Sequence, residues 1–483
     1  MSKDKNHSFM MKAGNRRPGW ILALALLPAA AWSQRADSSA PARHEFSIQQ
    51  TIDYAHKNNT QVKNALLDLQ MQQQVNREVT ARAYPSLNGS LGTTYNPNVA
   101  TQVIPNFIGP ATYQVLVNEG VKNGSGNPIV MPADFGLIAA QFGTKFNASA
   151  GLSLSQILFD GQVFVGLQAR KSILDFYKKN VEITEDVVKT NVYKIYYQLV
   201  VSKTQVELLD SNIALLSRLQ RDSRILYQNG FAEQLDIDKV NVQLNNLQTE
   251  KSKVLNMISN GYFGLKTLIG MPITDELVLT DSLDDATIRE GVAENPGYRY
   301  EDRKEFQYAQ IGKTLNEYNL RRYKLSQIPT ILLNANYLKS AQRSKWNFLG
   351  KGDWFTVSNI SLNVSVPIFN GMLTRAKIAE TRIDLERSEV QLASLRSAID
   401  NQVMTARNNL QSAIATMDFQ KKNMALAEKV YNQTKKKYEV GTGSQTEINT
   451  ARTDWKAAQT NYVSALYDAI IAKIDYLQAI GKL

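Results

Sequence analysis

The 69 residues between Gly371 and Gly441 contain neither proline nor another glycine, and that stretch limits what the chain can become. Apolar residues recur inside it at Leu392, Leu395, Ile399, Val403, Ala406, Leu410, Ala413 and Met417, in steps of three and four. That is close to the 3.5-residue period of a coiled-coil seam. At 1.5 Å per residue such a helix is roughly 100 Å long, too long for a compact domain. It stops at Val440-Gly441-Thr442-Gly443-Ser444, and helical character resumes from about Gln445 to Ile480. The unit reads as a long α-hairpin.

The same unit occurs earlier. From Gly161 to Gly230 the seam is Val188, Val192, Ile195, Leu199, Ser202, Val206, Leu209, Ile213 and Leu216. Phe159-Asp160-Gly161 lies 210 residues before Phe369-Asn370-Gly371, and Tyr227-Gln228-Asn229-Gly230 lies 211 before Tyr438-Glu439-Val440-Gly441. Landmarks that hold one offset to within a residue indicate an internal tandem duplication.

Taken in order, residues 1–19 are polar and basic, and Trp20 to Ala31 is a short apolar run. Ala31-Trp32-Ser33 then places small residues before Gln34. This predicts a signal peptide over 1–33, too short for a membrane span, followed by an N-terminal lead over 34–45. The first repeat covers 46–272, with helix over 46–83, strands at about 86–95 and 146–158, and the long hairpin at 161–270. An acidic, irregular linker follows at 273–298. The second repeat covers 299–483, with helix over 300–327, strands at about 330–339 and 356–368, and the hairpin at 371–481. Tyr84-Pro85 and Ile328-Pro329 end the short helices, because a residue before proline is pushed out of the α region. Residues 96–145, rich in Asn, Gly and Pro, read as one long loop, far beyond the usual connection, a length that implies a functional segment or one partly ordered on itself.

The strands alternate. Ile360, Leu362, Val364 and Val366 lie on one face, with Ser361, Asn363 and Ser365 on the other. At 9–12 residues, two-faced and with a small polar side, they have the length and character of tilted membrane-barrel strands facing a wet lumen. A soluble antiparallel sheet packed on helices alternates as well, but the exported context tells against it. Four strands cannot close a barrel, and open edges in lipid leave backbone groups unpaired. The chain is therefore expected to pool strands with rotated copies of itself. Two copies give eight strands and a side-chain-filled interior; three give twelve, enough for a pore.

In its tandem halves, in Val366-Pro367-Ile368-Phe369-Asn370-Gly371 at the last strand-to-helix joint, and in the turn from Tyr438 to Glu447, the chain resembles the TolC-type outer-membrane efflux protein family. The resemblance implies a mixed α and β membrane protein. It would be a homotrimer whose twelve-stranded outer-membrane β-barrel, four strands per chain, continues into a long periplasmic α-helical barrel. The implied role is a passive exit duct of a tripartite efflux or type I secretion system. Its implied partners are a periplasmic adaptor protein, an inner-membrane pump of RND, ABC or MFS type, and outer-membrane lipid.

By the same resemblance, adaptor contacts fall at Asn229, Gly230 and Phe231 in the first turn and at Val440, Gly441 and Thr442 in the second. Tyr227 and Tyr438 are the aromatics before the turns. Phe159, Gly161, Pro367, Phe369 and Gly371 mark the strand-to-helix joints. An acidic aperture falls at Asp236 and Glu447, 211 residues apart, and rings of such carboxylates favour cations. Acids near a helix N-terminus are equally stabilised by its dipole. The chain departs from the family at Thr450, where a second acid is expected, and at Gly443, where a basic residue is expected.

Other classes find little support. With 0 cysteines and 3 histidines, no disulfide, lipidated cysteine or metal site is expected. No phosphate loop or nucleophile motif stands out, so no catalytic residue and no cofactor is expected. The formal charge of +11 falls to +7 without the Lys- and Arg-rich first 33 residues, and the long helices mix both signs. Nucleic acid is not an expected partner. A secreted coiled-coil structural or adhesion protein is the alternative, but it has no use for duplicated membrane-length strands.

Overall fold

Two helices of nearly equal length set the frame. The computed structural model describes residues 42–282, 288, 289, 297–350 and 352–483. The expected signal peptide, most of the N-terminal lead and part of the inter-repeat linker lie outside the described residues. In chain order the strands are β1 (Arg43–Phe46), β2 (Ser86–Tyr95), β3 (Thr101–Pro105), β4 (Leu137–Gln141), β5 (Phe146–Phe159), β6 (Glu276–Leu279), β7 (Thr330–Arg343) and β8 (Phe355–Ser365). The helices are α1 (Ile48–Asn58), α2 (Thr60–Ala81), α3 (Ile108–Asn118), α4 (Gly161–Gln228), α5 (Gln234–Ile269), α6 (Lys304–Leu325), α7 (Leu373–Glu439) and α8 (Gln445–Ala479).

Helices α4 and α7 run for 68 and 67 residues, and each turns back into a partner of about half its length, α5 and α8. Leu209 and Leu216 of α4 pack against Val240, Leu247 and Val254 of α5. Ile399, Val403, Ala406 and Leu410 of α7 pack against Tyr476 and Ala479 of α8. The seams read from periodicity are thus the ones buried. Midway, Ile52, Val62, Val188, Val192, Tyr196, Leu199, Leu265 and Ile269 form the largest core cluster. There the Tyr196 hydroxyl donates to the Phe46 carbonyl at 3.1 Å and accepts from the Asp281 amide at 3.3 Å. No helix among the described residues is long and apolar enough to cross a membrane.

The sheet has the order β2-β5-β7-β8, antiparallel throughout, and neither edge strand has a further partner among the described residues. Cross-strand register puts Leu87, Leu154, Ala335 and Ile360 on one face, with Leu333 and Leu362 beside them. The opposite face carries Asn88, Ser153, Asn336 and Asn359. Leu91 and Ile360 are 87% and 80% exposed, an apolar surface that this chain does not cover by itself. At Gly151 an added Cβ would meet Leu338 Cδ1 and the Tyr337 carbonyl at 2.9 Å. Glycine there lets β7 carry a leucine across the strand pair.

Three local expectations are corrected. Residues 46–83 are two helices, because Asn59 adopts ψ 133° and caps α2. Its Oδ1 accepts from the Gln61 and Val62 amides at 2.7 and 3.0 Å, while its Nδ2 donates to the Leu268 carbonyl at 2.6 Å. The 96–145 segment is not a bare loop: β3 and β4 pair antiparallel, and α3 lies between them in the chain. Neither Thr-Gln-Val-Ile-Pro nor Leu-Ile-Ala-Ala-Gln alternates apolar with polar residues, so no period of two marks these strands. The linker contributes β6, which pairs in parallel with β1 and ties the start of the first repeat to its end.

Candidate functional site

The hairpin tips are where the two repeats come together with unpartnered surface. At each tip the long helix ends in the same way. Gly230 has φ +79° and Gly441 has φ +76°. The Gly230 amide donates to the Tyr227 carbonyl at 3.0 Å, and the Phe231 amide to the Leu226 carbonyl at 2.8 Å. In the second repeat Gly441 donates to Tyr438 and Thr442 to Lys437, both at 3.0 Å. These paired bonds are the helix stop that requires a left-handed residue, for which glycine has no Cβ penalty. Asn229 and Val440 are the C-cap residues. Phe231 is 80% exposed, an aromatic ring left uncovered by the described residues.

The next helix starts just beyond. In the first repeat, the Glu233 amide donates to Asp236 Oδ2 at 3.5 Å. In the second, Ser444 donates its amide to Glu447 Oε2 at 3.4 Å and accepts from the Glu447 amide at 3.2 Å. Asp236 and Glu447 are thus the third residues of two equivalent capping boxes. A carboxylate there satisfies an orphan N–H and opposes the positive end of the helix dipole. Lys239 lies 3.7 Å from Asp236. Each acid therefore has a structural duty in addition to any role at an aperture.

The tips touch across the duplication. Leu215 of α4 packs on Tyr431, Ile448 and Ala451 of the second hairpin. Burial pushes the Tyr438 phenol above its ordinary range, and the charges of Asp236 and Asp222 add to that effect. Between the hairpins lies a cavity of about 450 Å³ lined by Leu226, Tyr431, Tyr438, Gly441, Gly443 and Arg452, among others. Further along, Asn212 Nδ2 donates to Gln459 Oε1 at 3.0 Å, both side chains being buried. Lys456 pairs with Glu250 at 2.5 Å.

The joints lie at the other end of the rods, against the sheet. Gly161 is buried, and a Cβ there would meet Leu325 Cβ at 2.8 Å and Ile328 Cδ1 at 2.9 Å. Asp160 caps α4 by accepting from the Gln162 amide at 2.8 Å. Phe159 stacks obliquely on Phe164, with ring centroids 5.6 Å apart. The second joint is built differently. Gly371 has φ +64° in open space, Met372 also has positive φ, and Phe369 is 77% exposed. Pro367 precedes this turn, just after β8. The sequence reading missed Arg452, Trp455 and the Asn212–Gln459 pair. Only a polar residue beside an apolar seam hinted at them, and helix periodicity does not say which polar positions a second hairpin will cover.

Residues 302–482 match the family model described as outer membrane efflux protein. The outer membrane protein TolC of Vibrio cholerae is 19% identical over 344 residues, spanning 69% of this chain and 77% of that protein. The outer membrane efflux protein BepC of Brucella suis is 20% identical over 344 residues, spanning 70% and 73%. Among solved structures, CusC superposes with a TM-score of 0.72 at 15% identity, covering 92% of this chain and 95% of CusC. The CmeC outer membrane channel of Campylobacter jejuni gives 0.69 at 15%, covering 90% and 85%. The fold is that of outer-membrane channels.

Proposed function

We propose that the chain is a TolC-type outer-membrane efflux protein, three copies of which form a passive exit duct. It would carry substrates handed over by a periplasmic adaptor and an inner-membrane pump, across the periplasm and the outer membrane. The observation that carries this reading is the two-faced sheet with two edges unpaired among the described residues, continuing directly into paired rods. Its apolar face suits lipid and its Asn- and Ser-lined face suits water. Its edges need neighbours, and twelve strands leave a pore. The test is direct: detergent-solubilised protein should have the mass of three chains and conduct ions in a planar bilayer. A water-soluble monomer would sink the reading.

The acidic aperture at Asp236 and Glu447 is the second part of the proposal. Alanine is a poor test, since it removes the cap as well as the charge. Asp236→Asn with Glu447→Gln keeps an acceptor for the N-cap amide and removes only charge. Cation preference should fall in that double variant while thermal stability holds. Unchanged ion selectivity would reject the aperture.

The third part is adaptor docking at the tips, from Asn229 to Phe231 and from Val440 to Thr442. Phe231→Ala leaves the helix stop intact, so it should lower export of a toxic dye from a complemented deletion strain without changing trimer yield. Undiminished export would remove the first tip from the docking surface.

A further inference from the structure

Arg452 is only 6% exposed, and it lines the cavity between the two hairpin tips. Among the described residues its guanidinium makes one hydrogen bond, to Asn449 Oδ1 at 3.2 Å, a neutral acceptor one turn back on its own helix. Among the described residues it makes no ion pair. Burial lowers its pKa, in keeping with a guanidinium that has lost water without gaining a counter-charge. A buried cation in that condition is costly unless something anionic completes it.

The duplication supplies an internal control. The positions 211 residues earlier than Tyr431 and Arg452 are Gln220 and Asn241, and there Gln220 Nε2 donates to Asn241 Oδ1 at 2.5 Å. The first hairpin thus closes the same place with a neutral, hydrogen-bonded pair. Holding helices together at this level does not require a charge, yet the second repeat buries one beside open space. The cavity's other charges do not cancel it. Lys435 and Glu439 pair with each other at 3.6 Å. That leaves Arg218 and Arg452 against Asp222, a small positive excess. The remaining wall is mostly apolar and aromatic, with Leu215, Leu219, Tyr431 and Tyr438, and carries one hydroxyl, from Ser223.

We propose that this cavity is a binding site for a small aromatic carboxylate. Its carboxylate would meet the Arg452 guanidinium, whose planar fork matches two oxygens, and its ring would lie against Tyr431 and Tyr438. The ligand touches α4 on one side and α7 and α8 on the other, so it bridges the two repeats. The site itself does not depend on the duct reading.

Trp455 provides the readout, because its ring stacks on Tyr431 at 5.0 Å between centroids. Purified detergent-solubilised protein would be titrated with 4-iodobenzoate and, separately, with the uncharged 4-iodobenzamide. Fluorescence is recorded for the native chain, for Arg452→Gln and for Trp455→Phe. The expected result is saturable quenching by the benzoate that disappears in Trp455→Phe. Its midpoint should move at least tenfold higher in Arg452→Gln, and the benzamide should show no saturation. Trimer yield of Arg452→Gln checks that the variant folds; should it fail, Arg452→Met replaces it. Equal affinity for the two probes, equal affinity in the arginine variant, or no saturation by benzoate at millimolar concentration would each overturn the proposal. These readouts require no export or conductance, so they stand or fall apart from the duct.

Discussion

A methyl group added at Gly161 would meet Leu325 Cβ at 2.8 Å, whereas one added at Gly441 would meet nothing within 4 Å but must sit at φ +76°. The two glycines are therefore held for different reasons, space at one and backbone conformation at the other. Gly161→Ala should cost about 2–3 kcal/mol by overpacking, and Gly441→Ala about 1 kcal/mol of left-handed strain. Thermal melting of the solubilised protein would rank them, and a Gly441→Ala loss equal to or larger than that of Gly161→Ala would contradict this account. A second residue-scale device anchors the chain after the linker. Tyr298 and Tyr300 both donate to Asp400 Oδ1, at 2.6 and 2.9 Å. The bond to Asp400 pushes the Tyr298 phenol up to about 12, against about 10 in an unfolded chain. A raised pKa favours the protonated form in the folded state. The anchor's stabilisation is thus complete below about pH 10 and is lost as pH rises through about 12. Tyr298→Phe should be less stable than the native chain at pH 8, and the difference should shrink above pH 11. A pH-independent difference would argue against the carboxylate as the cause.

At the scale of elements, the sheet's two faces predict opposite responses to the same charge. Ile360→Arg places a cation on the apolar face and should cost about 2–4 kcal/mol if it lies at bilayer mid-depth. Ser361→Arg, its neighbour on the polar face, should assemble normally and shift conductance toward anions. Heat-resistant trimer on a gel and bilayer selectivity read the two outcomes; equal assembly of both variants would contradict the assignment of faces. The elements also show what the chain's sequence could disclose. A seam repeated over many turns adds up evidence that no single residue carries, so the hairpins, the strands' two-facedness and the duplication were legible. Where structure depends on one side chain, legibility fails. Asn59 breaks a helix through three hydrogen bonds of its own, and β1 finds β6 across more than 200 residues. At the tips, glycine spacing marks the turns because a left-handed stop demands it. The burial of Arg452 is set by a hairpin from the other repeat, which leaves no local trace.

For the whole molecule, closure is the governing question. Strands β2 and β8 run antiparallel to their inner neighbours in an even-numbered sheet, so β8 of one copy meets β2 of the next in the antiparallel sense as well. The chain has 0 cysteines, so introduced pairs report without background. Asn88→Cys combined in turn with Ser361→Cys, Asn363→Cys or Ser365→Cys should give, for at least one pair, a ladder ending at three linked chains under oxidising conditions. A ladder that stops at two or runs past three would rule out a threefold ring.

The equivalence of the tips then has a consequence for whatever meets them. Gly230 and Gly441 present the same helix stop, but the residue just after it is an exposed Phe231 in one repeat and Thr442 in the other. Three chains would offer a rim of six knobs alike in backbone and alternating in side chain. A visitor that grips only main chain would count six identical footholds, while one that seeks the benzyl ring would count three. Stoichiometry at such a rim would then turn on one aromatic residue, and exchanging Phe231 for threonine would erase the distinction.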